Sequence, residues 1–174
     1  ITPWAESLIE DMLYMLWDLR LKVGHASRTV KDCLRLGAED FTIRTALLEQ
    51  RFIVGDKKLA TELSDRLWSD LFHGSESEFI EAKLDERDIR HKKQGGQRYM
   101  VEPNVKEGKG GLRDLHAMFW IAKYVYRVRN TDDLQDTKVF LPDEFDTFTQ
   151  AERFLWAVRC HLHFLTNRGT DVLS

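Results

Sequence analysis

The run Glu102-Pro-Asn-Val-Lys-Glu-Gly-Lys-Gly-Gly-Leu-Arg-Asp-Leu-His116 is the least helical stretch of the chain and the most informative. It reads as a glycine-rich loop that runs into a helix beginning at Leu112. Free N–H groups at such a helix start, together with the helix dipole, favour an anion. Lys106, Lys109 and Arg113 add positive charge, and an arginine can grip a phosphate with two parallel hydrogen bonds. Gly110 and Gly111 allow a ligand or another backbone to approach closely. A second reading stands beside this one: a glycine turn that caps a helix, with solvated lysines around it.

On either side of this loop the sequence is helical. Only three prolines occur in 174 residues, and Leu, Glu, Arg and Ala abound. Upstream, Thr2 caps and Pro3 opens a first helix with apolar residues at Trp4, Leu8, Met12, Met15, Leu16 and Leu19. The alternation of Leu19, Leu21 and Val23 with Arg20, Lys22 and Gly24 predicts one strand within Leu19 to Thr29. Thr29 with Asp32, and Ser75 with Glu78, have the spacing of capping boxes. Asp40 caps a helix carrying Ile43, Leu47 and Leu48, broken by Gly55 and Asp56. Leu59, Leu63, Leu67 and Leu71 form the next stripe, and a very charged helix then runs down to Gly95-Gly96. Downstream, one helix is expected from Leu112 to about Arg129 and another from Pro142 to about Asn167, with Phe148, Leu155, Leu162 and Leu165 in its core. Asp132 and Asp133 mark a polar break. Trp4, Trp17, Trp68, Trp120 and Trp156 all read as packing residues.

Composition bounds the function. A hydrophobic content of 43% suits one domain, or one and a fraction, with a real core. The 26 basic and 29 acidic residues give a net charge of −3, so no global field for nucleic acid is expected. No apolar run approaches the ~20 residues that span a bilayer, so no membrane role is expected. Two isolated cysteines, Cys33 and Cys160, suit neither a disulfide framework nor a zinc site, and a cytoplasmic setting is expected.

Four blocks of sequence carry a family resemblance. They are Leu16-Trp17-Asp18 followed by Val23-Gly-His-Ala-Ser-Arg-Thr29, then Thr45-Ala-Leu-Leu-Glu-Gln-Arg51 followed by Gly55, then Asn104 to His116, then Leu155-Trp-Ala-Val-Arg-Cys-His-Leu-His163. In this order they resemble the bifunctional PII uridylyltransferase/uridylyl-removing enzymes. The resemblance implies a polymerase-β-like nucleotidyltransferase that moves UMP from UTP to a tyrosine of the PII protein with Mg²⁺. It also implies a mainly α fold: a helical bundle-like domain with a small remnant of the nucleotidyltransferase sheet. Residues 1–55 would close the nucleotidyltransferase domain and 56–174 would form the adjoining helical domain.

The family's paired Asp-x-Asp metal ligands do not occur in this sequence and are expected upstream. The hydrolytic and regulatory domains are expected downstream, and the 174 residues alone are expected to be inactive. Asp18, followed by Leu-Arg-Leu and a glycine-containing turn, is similar to a third carboxylate of such enzymes. It is the expected catalytic residue and Mg²⁺ ligand, the other reading being a structural or solvated carboxylate. His25, Arg28, Lys106, Gly110, Gly111, Arg113 and Arg159 are the expected nucleotide-binding residues, with a hydrogen-bonded histidine and a surface arginine as the other reading of His25 and Arg28. Arg159 and His163 share a helix face, and a helix-packing pair is their alternative. Glu49 and Arg51 read as helix-linking ion-pair residues, and His161 as exposed. Two other functions stay open, a glutamine-synthetase adenylyltransferase relative and a non-catalytic helical module that docks a partner protein.

Overall fold

The computed structural model describes residues 2–95, 101–128, 131–135 and 137–174, with the side chains of 131 and 132 set aside. Seven α-helices make up most of it: α1 Pro3–Asp18, α2 Val30–Glu39, α3 Phe41–Leu48, α4 Lys57–Arg66, α5 Glu76–Lys93, α6 Leu112–Tyr126 and α7 Pro142–Thr166. α4 continues into a π-helical turn, Leu67–Phe72, and a 3₁₀ turn spans Thr131–Leu134, where the sequence suggested only a polar break.

Local chemistry sets most helix starts. The Thr2 hydroxyl accepts the Ala5 N–H, and Pro3 opens α1. Thr29 and Asp32 close a reciprocal capping box on α2. Asp40 accepts from Thr42 and Ile43, and Asp56 from Lys58. Pro142 opens α7, Glu144 reaches back to the Leu141 N–H, and Asn167 ends the helix in the left-handed region. α6 stops at Tyr126, with Arg127 left-handed behind it. α5 ends at Lys93, and Gly95 has φ +84°. Gly96 lies outside the described residues.

Several expectations need correction. Leu19 to Thr29 is not a strand: it runs as irregular chain, Arg20 has φ +59°, and no sheet exists among the described residues. An extended segment without a neighbour leaves its N–H and C=O groups to water, and Leu19 and Leu21 are exposed. The only pairing among the described residues is a single antiparallel bridge, Asn104 with Val172. The nucleotidyltransferase sheet remnant is therefore absent from the described structure. Ser75 makes no cap on α5; its Oγ donates to the carbonyls of Leu71 and Phe72 and bonds the Tyr124 hydroxyl. Trp4 is 75% exposed, and Trp17 and Trp156 are exposed too, so these three are not core residues as expected; Leu165 is exposed as well.

The main core joins α2, α3, the π-helical turn, α5 and α6. Cys33, Leu47, Leu48, Leu67, Leu71, Phe72, Phe79 and Tyr124 form it, with Trp68 and Trp120 packed against its edge. Phe79 and Tyr124 stack with ring centroids 4.0 Å apart. Arg44 is buried beside this core. Its Nε donates to the Gly37 carbonyl at 2.7 Å and its Nη2 to Ala38 at 3.1 Å, capping the last turn of α2. A second cluster, Ala122, Val128, Leu134 and Phe145, ties α6 to α7. α1 lies at the periphery, with Leu13 its one buried residue. No described helix is long and apolar enough to cross a membrane.

Candidate functional site

The glycine loop is closed on itself. Asn104 Oδ1 accepts the N–H groups of Lys106 and Glu107, and the Gly108 N–H returns to the Asn104 carbonyl. At the start of α6, the N–H groups of Leu112, Arg113 and Asp114 go to the carbonyls of Val105, Lys106 and Gly111. The Gly110 N–H goes to Asp114 Oδ2 at 2.8 Å. The donors that the sequence offered to an anion are thus already occupied within the loop. Gly110 has φ +78°, which side chains rarely adopt. Gly111 has ordinary φ, but a Cβ there would sit 2.8–2.9 Å from the carbonyl oxygens of Val105, Gly108 and Lys106.

Two aspartates hold this loop from opposite sides, each through one arginine and one histidine. On the α5 side, Asp114 pairs with Arg90 and with His91 Nε2, the latter at 2.9 Å. On the α7 side, Asp171 Oδ1 accepts from Arg159 Nε at 2.7 Å and bonds His163 Nε2 at 3.1 Å, while Oδ2 lies 3.9 Å from Lys106 Nζ. Burial pushes the Asp171 carboxyl pKa up. The hydrogen bonds from Arg159 and His163, with the charges of Arg159 and Lys106, outweigh it and hold the group below its ordinary value. The segment carrying Asp171 is zipped to the loop: Val105 N–H donates to the Asp171 carbonyl and Leu173 N–H to that of Pro103.

The loop also forms one wall of a cleft of about 680 Å³ between α3, α5 and α6. Glu49, Lys83, Arg90, Glu107, Arg113 and Trp120 are among its lining residues. Arg113 Nη2 is 3.5 Å from Glu107 and its guanidinium lies 5.7 Å from the Trp120 ring centre. Arg90 Nε is buried without a hydrogen-bond partner among the described residues and faces Glu107 at 3.9 Å. The apolar hollow between α5, α6 and α7, about 790 Å³, gathers none of the charged residues singled out from the sequence.

Three of the four sequence blocks therefore meet. The loop contacts the α7 block through Asp171, and the Thr45–Arg51 block joins the cleft through Thr45 and Glu49. Glu49 caps the end of α3 and pairs with Lys123 of α6 at 2.8 Å, an ion pair between helices as its type suggested, whereas Arg51 lies beyond the helix and exposed. Lys106, Gly110, Gly111, Arg113 and Arg159 stand together at the loop. The first block stands apart. Asp18 ends α1, exposed; His25 packs edge-on against Trp17; and Arg28 is exposed. His161 is exposed, as expected.

No described group of three or more His, Cys, Asp or Glu residues is placed to hold a metal, and Asp18 stands alone at a helix C-terminus, where the dipole disfavours a carboxylate. Sequence reasoning missed Arg90, His91 and Asp171. The first two lie in a helix that is charged along its whole length, and Asp171 is brought in only by the chain's return along the loop.

Comparison with known proteins gives a consistent result. The family model described as GlnD PII-uridylyltransferase matches residues 78–174. The chain is 67% identical over all 174 residues to a bifunctional uridylyltransferase/uridylyl-removing enzyme of Cereibacter sphaeroides. It is 65% identical over 174 residues to one of Ruegeria pomeroyi, and 56% identical over 173 residues to one of Rhodopseudomonas palustris. In each case it spans 19% of the relative's length. No solved structure matches the chain.

Proposed function

Since the chain belongs to the PII-uridylyltransferase family, we propose that it is the part of such an enzyme that supports transfer of UMP from UTP to a tyrosine of the PII protein. The observation that carries this reading is the assembly of Lys106, Arg113 and Arg159 around one rigid glycine loop, from blocks far apart in sequence. Their charges suit the oxygens of a nucleoside triphosphate. Because the N–H groups starting α6 are already bonded, the side chains bind the phosphates, while Gly110 and Gly111 set the shape of the loop. His25 and Arg28 make a second contact region, on the segment after α1.

Residues 1–55 belong, on this reading, to the end of the nucleotidyltransferase domain and 56–174 to its helical companion. Cys33, Leu47 and Leu48 pack across that boundary into one core with Leu67, Leu71, Phe72, Phe79 and Tyr124. The reaction's Mg²⁺ needs carboxylates besides Asp18, and the 174 residues alone are inactive. Asp18→Asn in the full-length enzyme tests the metal role: transfer falls, while stability stays within about 0.5 kcal/mol, as for an exposed residue.

The test of the whole reading is label transfer by the full-length enzyme. Label from UTP should appear on PII. Label from ATP on glutamine synthetase instead would establish the adenylyltransferase alternative, and PII binding with no transfer would leave only the docking role.

A further inference from the structure

Asp171 belongs to none of the sequence blocks that carry the family resemblance, yet it joins Arg159, His163, Lys106 and Val105 at the loop. It is mostly buried, with its side chain 16% exposed. Its carbonyl accepts the Val105 N–H at 2.8 Å, fixing the residue next to Lys106. Its carboxylate holds Arg159 by Nε and His163 by Nε2.

The manner in which Arg159 is held matters. Asp171 engages Nε, and the guanidinium lies 5.3 Å from the Trp156 ring centre. Among the described residues neither Nη nitrogen has a hydrogen-bond acceptor. The guanidinium is thus fixed along one edge and supported on one face, and its outer nitrogens are left for an oxyanion. Lys106 Nζ lies 3.9 Å from the other carboxylate oxygen and 3.6 Å from Glu107, close enough for steering and too far for a hydrogen bond.

We infer that Asp171 is a positioning residue for uridylyl transfer, holding Arg159 and Lys106 so that both address the same phosphate oxygens of UTP. The inference rests on the nucleotide-binding reading above. Asp171 itself touches no substrate. Its position on the segment zipped to the loop aligns the two cations.

The experiment uses the full-length enzyme, with KM for UTP, KM for PII and the separate removal of UMP from modified PII all measured. Asp171→Asn keeps the shape and the main-chain bond and removes the charge. It should raise the KM for UTP at least tenfold, leaving the KM for PII and the removal rate within twofold of wild type. Asp171→Glu retains the charge on a longer arm and should raise the KM for UTP three- to fivefold. If the Asn variant does not fold, the Glu variant decides, and an unchanged KM for UTP overturns the inference. Loss of transfer and removal together in both variants makes Asp171 a folding residue and overturns it as well.

A cycle with Arg159→Gln and Lys106→Gln separates this inference from the reading beneath it. In the background lacking both cations, Asp171→Asn should have no further effect on the KM for UTP. If the two cations themselves prove neutral for UTP, the nucleotide-binding reading falls and the inference with it. If they matter and Asp171→Asn does not, only the inference falls.

Discussion

The Asp114 carboxylate accepts the Gly110 main-chain N–H at 2.8 Å, four residues back in sequence. The loop before α6 is thereby closed from inside its own helix, and the same carboxylate is fixed to α5 by Arg90 and His91. Asp114→Asn removes the charge that these partners address. It should destabilise the fold by about 2–3 kcal/mol, the usual magnitude for hydrogen bonds to a charged group. A thermal melt of the variant checks this, and an unchanged melting temperature would show that Arg90 and His91 find other partners.

The two glycines should respond differently. Gly110 has positive φ and open space around its Cα. Gly110→Ala should cost about 1–2 kcal/mol from the left-handed backbone, and Gly110→Asn less, since asparagine tolerates that region. At Gly111 a Cβ meets three backbone carbonyls that cannot swing aside. Gly111→Ala should cost about 1–3 kcal/mol, and no small polar residue should rescue it. Melting curves of the three variants give the ranking; equal losses at both positions would contradict it.

Arg44 is 3% exposed and satisfies two carbonyls at the end of α2. Its third partner, Glu78, is largely exposed. Arg44→Met should therefore cost about 3 kcal/mol, because buried acceptors lose their donor. Glu78→Ala should cost under about 1 kcal/mol, because the exposed side of the pair is screened. Chemical denaturation of both variants tests the asymmetry.

What the sequence made legible was local. Thr29 and Asp32, Asp40, Pro142 and Asn167 act on backbone within a few residues, so their types and spacing were enough; Asp56, read only as a helix breaker, caps α4. Arg44 could not be read this way, because its carbonyls become neighbours only when α3 folds back on α2. Ser75 was drawn from its capping role by Tyr124, 49 residues away. The alternation at Leu19, Leu21 and Val23 mimicked a strand because three residues of period two also occur in exposed irregular chain. At the candidate site the glycine loop, Arg113 and Arg159 were legible. The aspartates that lock them were not, since Asp171 is brought to the loop by pairing of the segment after α7.

His116 gives a pH-dependent prediction. Burial lowers its pKa, the nearby charges of Arg113, Arg159 and Lys106 lower it further, and Glu49 opposes them. The unfolded chain, with a histidine pKa near ~6.5, therefore takes up the proton first as pH falls. The contribution of neutral His116 to stability is complete above that value and declines as pH drops toward the lower folded pKa. His116→Phe should remove this part of the acid sensitivity while keeping an aromatic ring between Trp120 and Trp156. As pH falls from 8 to 5 the melting temperature of the wild type should drop more steeply than that of His116→Phe; parallel curves would exclude a role for His116 protonation.

Arg113 separates a ligand-binding loop from a scaffold. Its guanidinium is partly exposed in the cleft, at the edge of hydrogen-bonding distance from Glu107 and over Trp120. Neither contact is a tight buried pair, so replacing it should leave the fold nearly intact, within about 1 kcal/mol as for partly exposed ion pairs. A lysine keeps the charge and loses the planar fork that matches two phosphate oxygens. In the full-length enzyme Arg113→Lys should therefore weaken UTP binding or turnover by about tenfold, equivalent to about 1.4 kcal/mol, with melting almost unchanged. Arg113→Ala should lose more activity than Arg113→Lys, and again little stability. The decisive comparison is between UTP titration and melting of the same variants. Normal UTP titration and turnover with a collapsed melting temperature would make Arg113 part of the scaffold that Asp114 and Asp171 hold, and the proposed phosphate-binding set would reduce to Lys106 and Arg159.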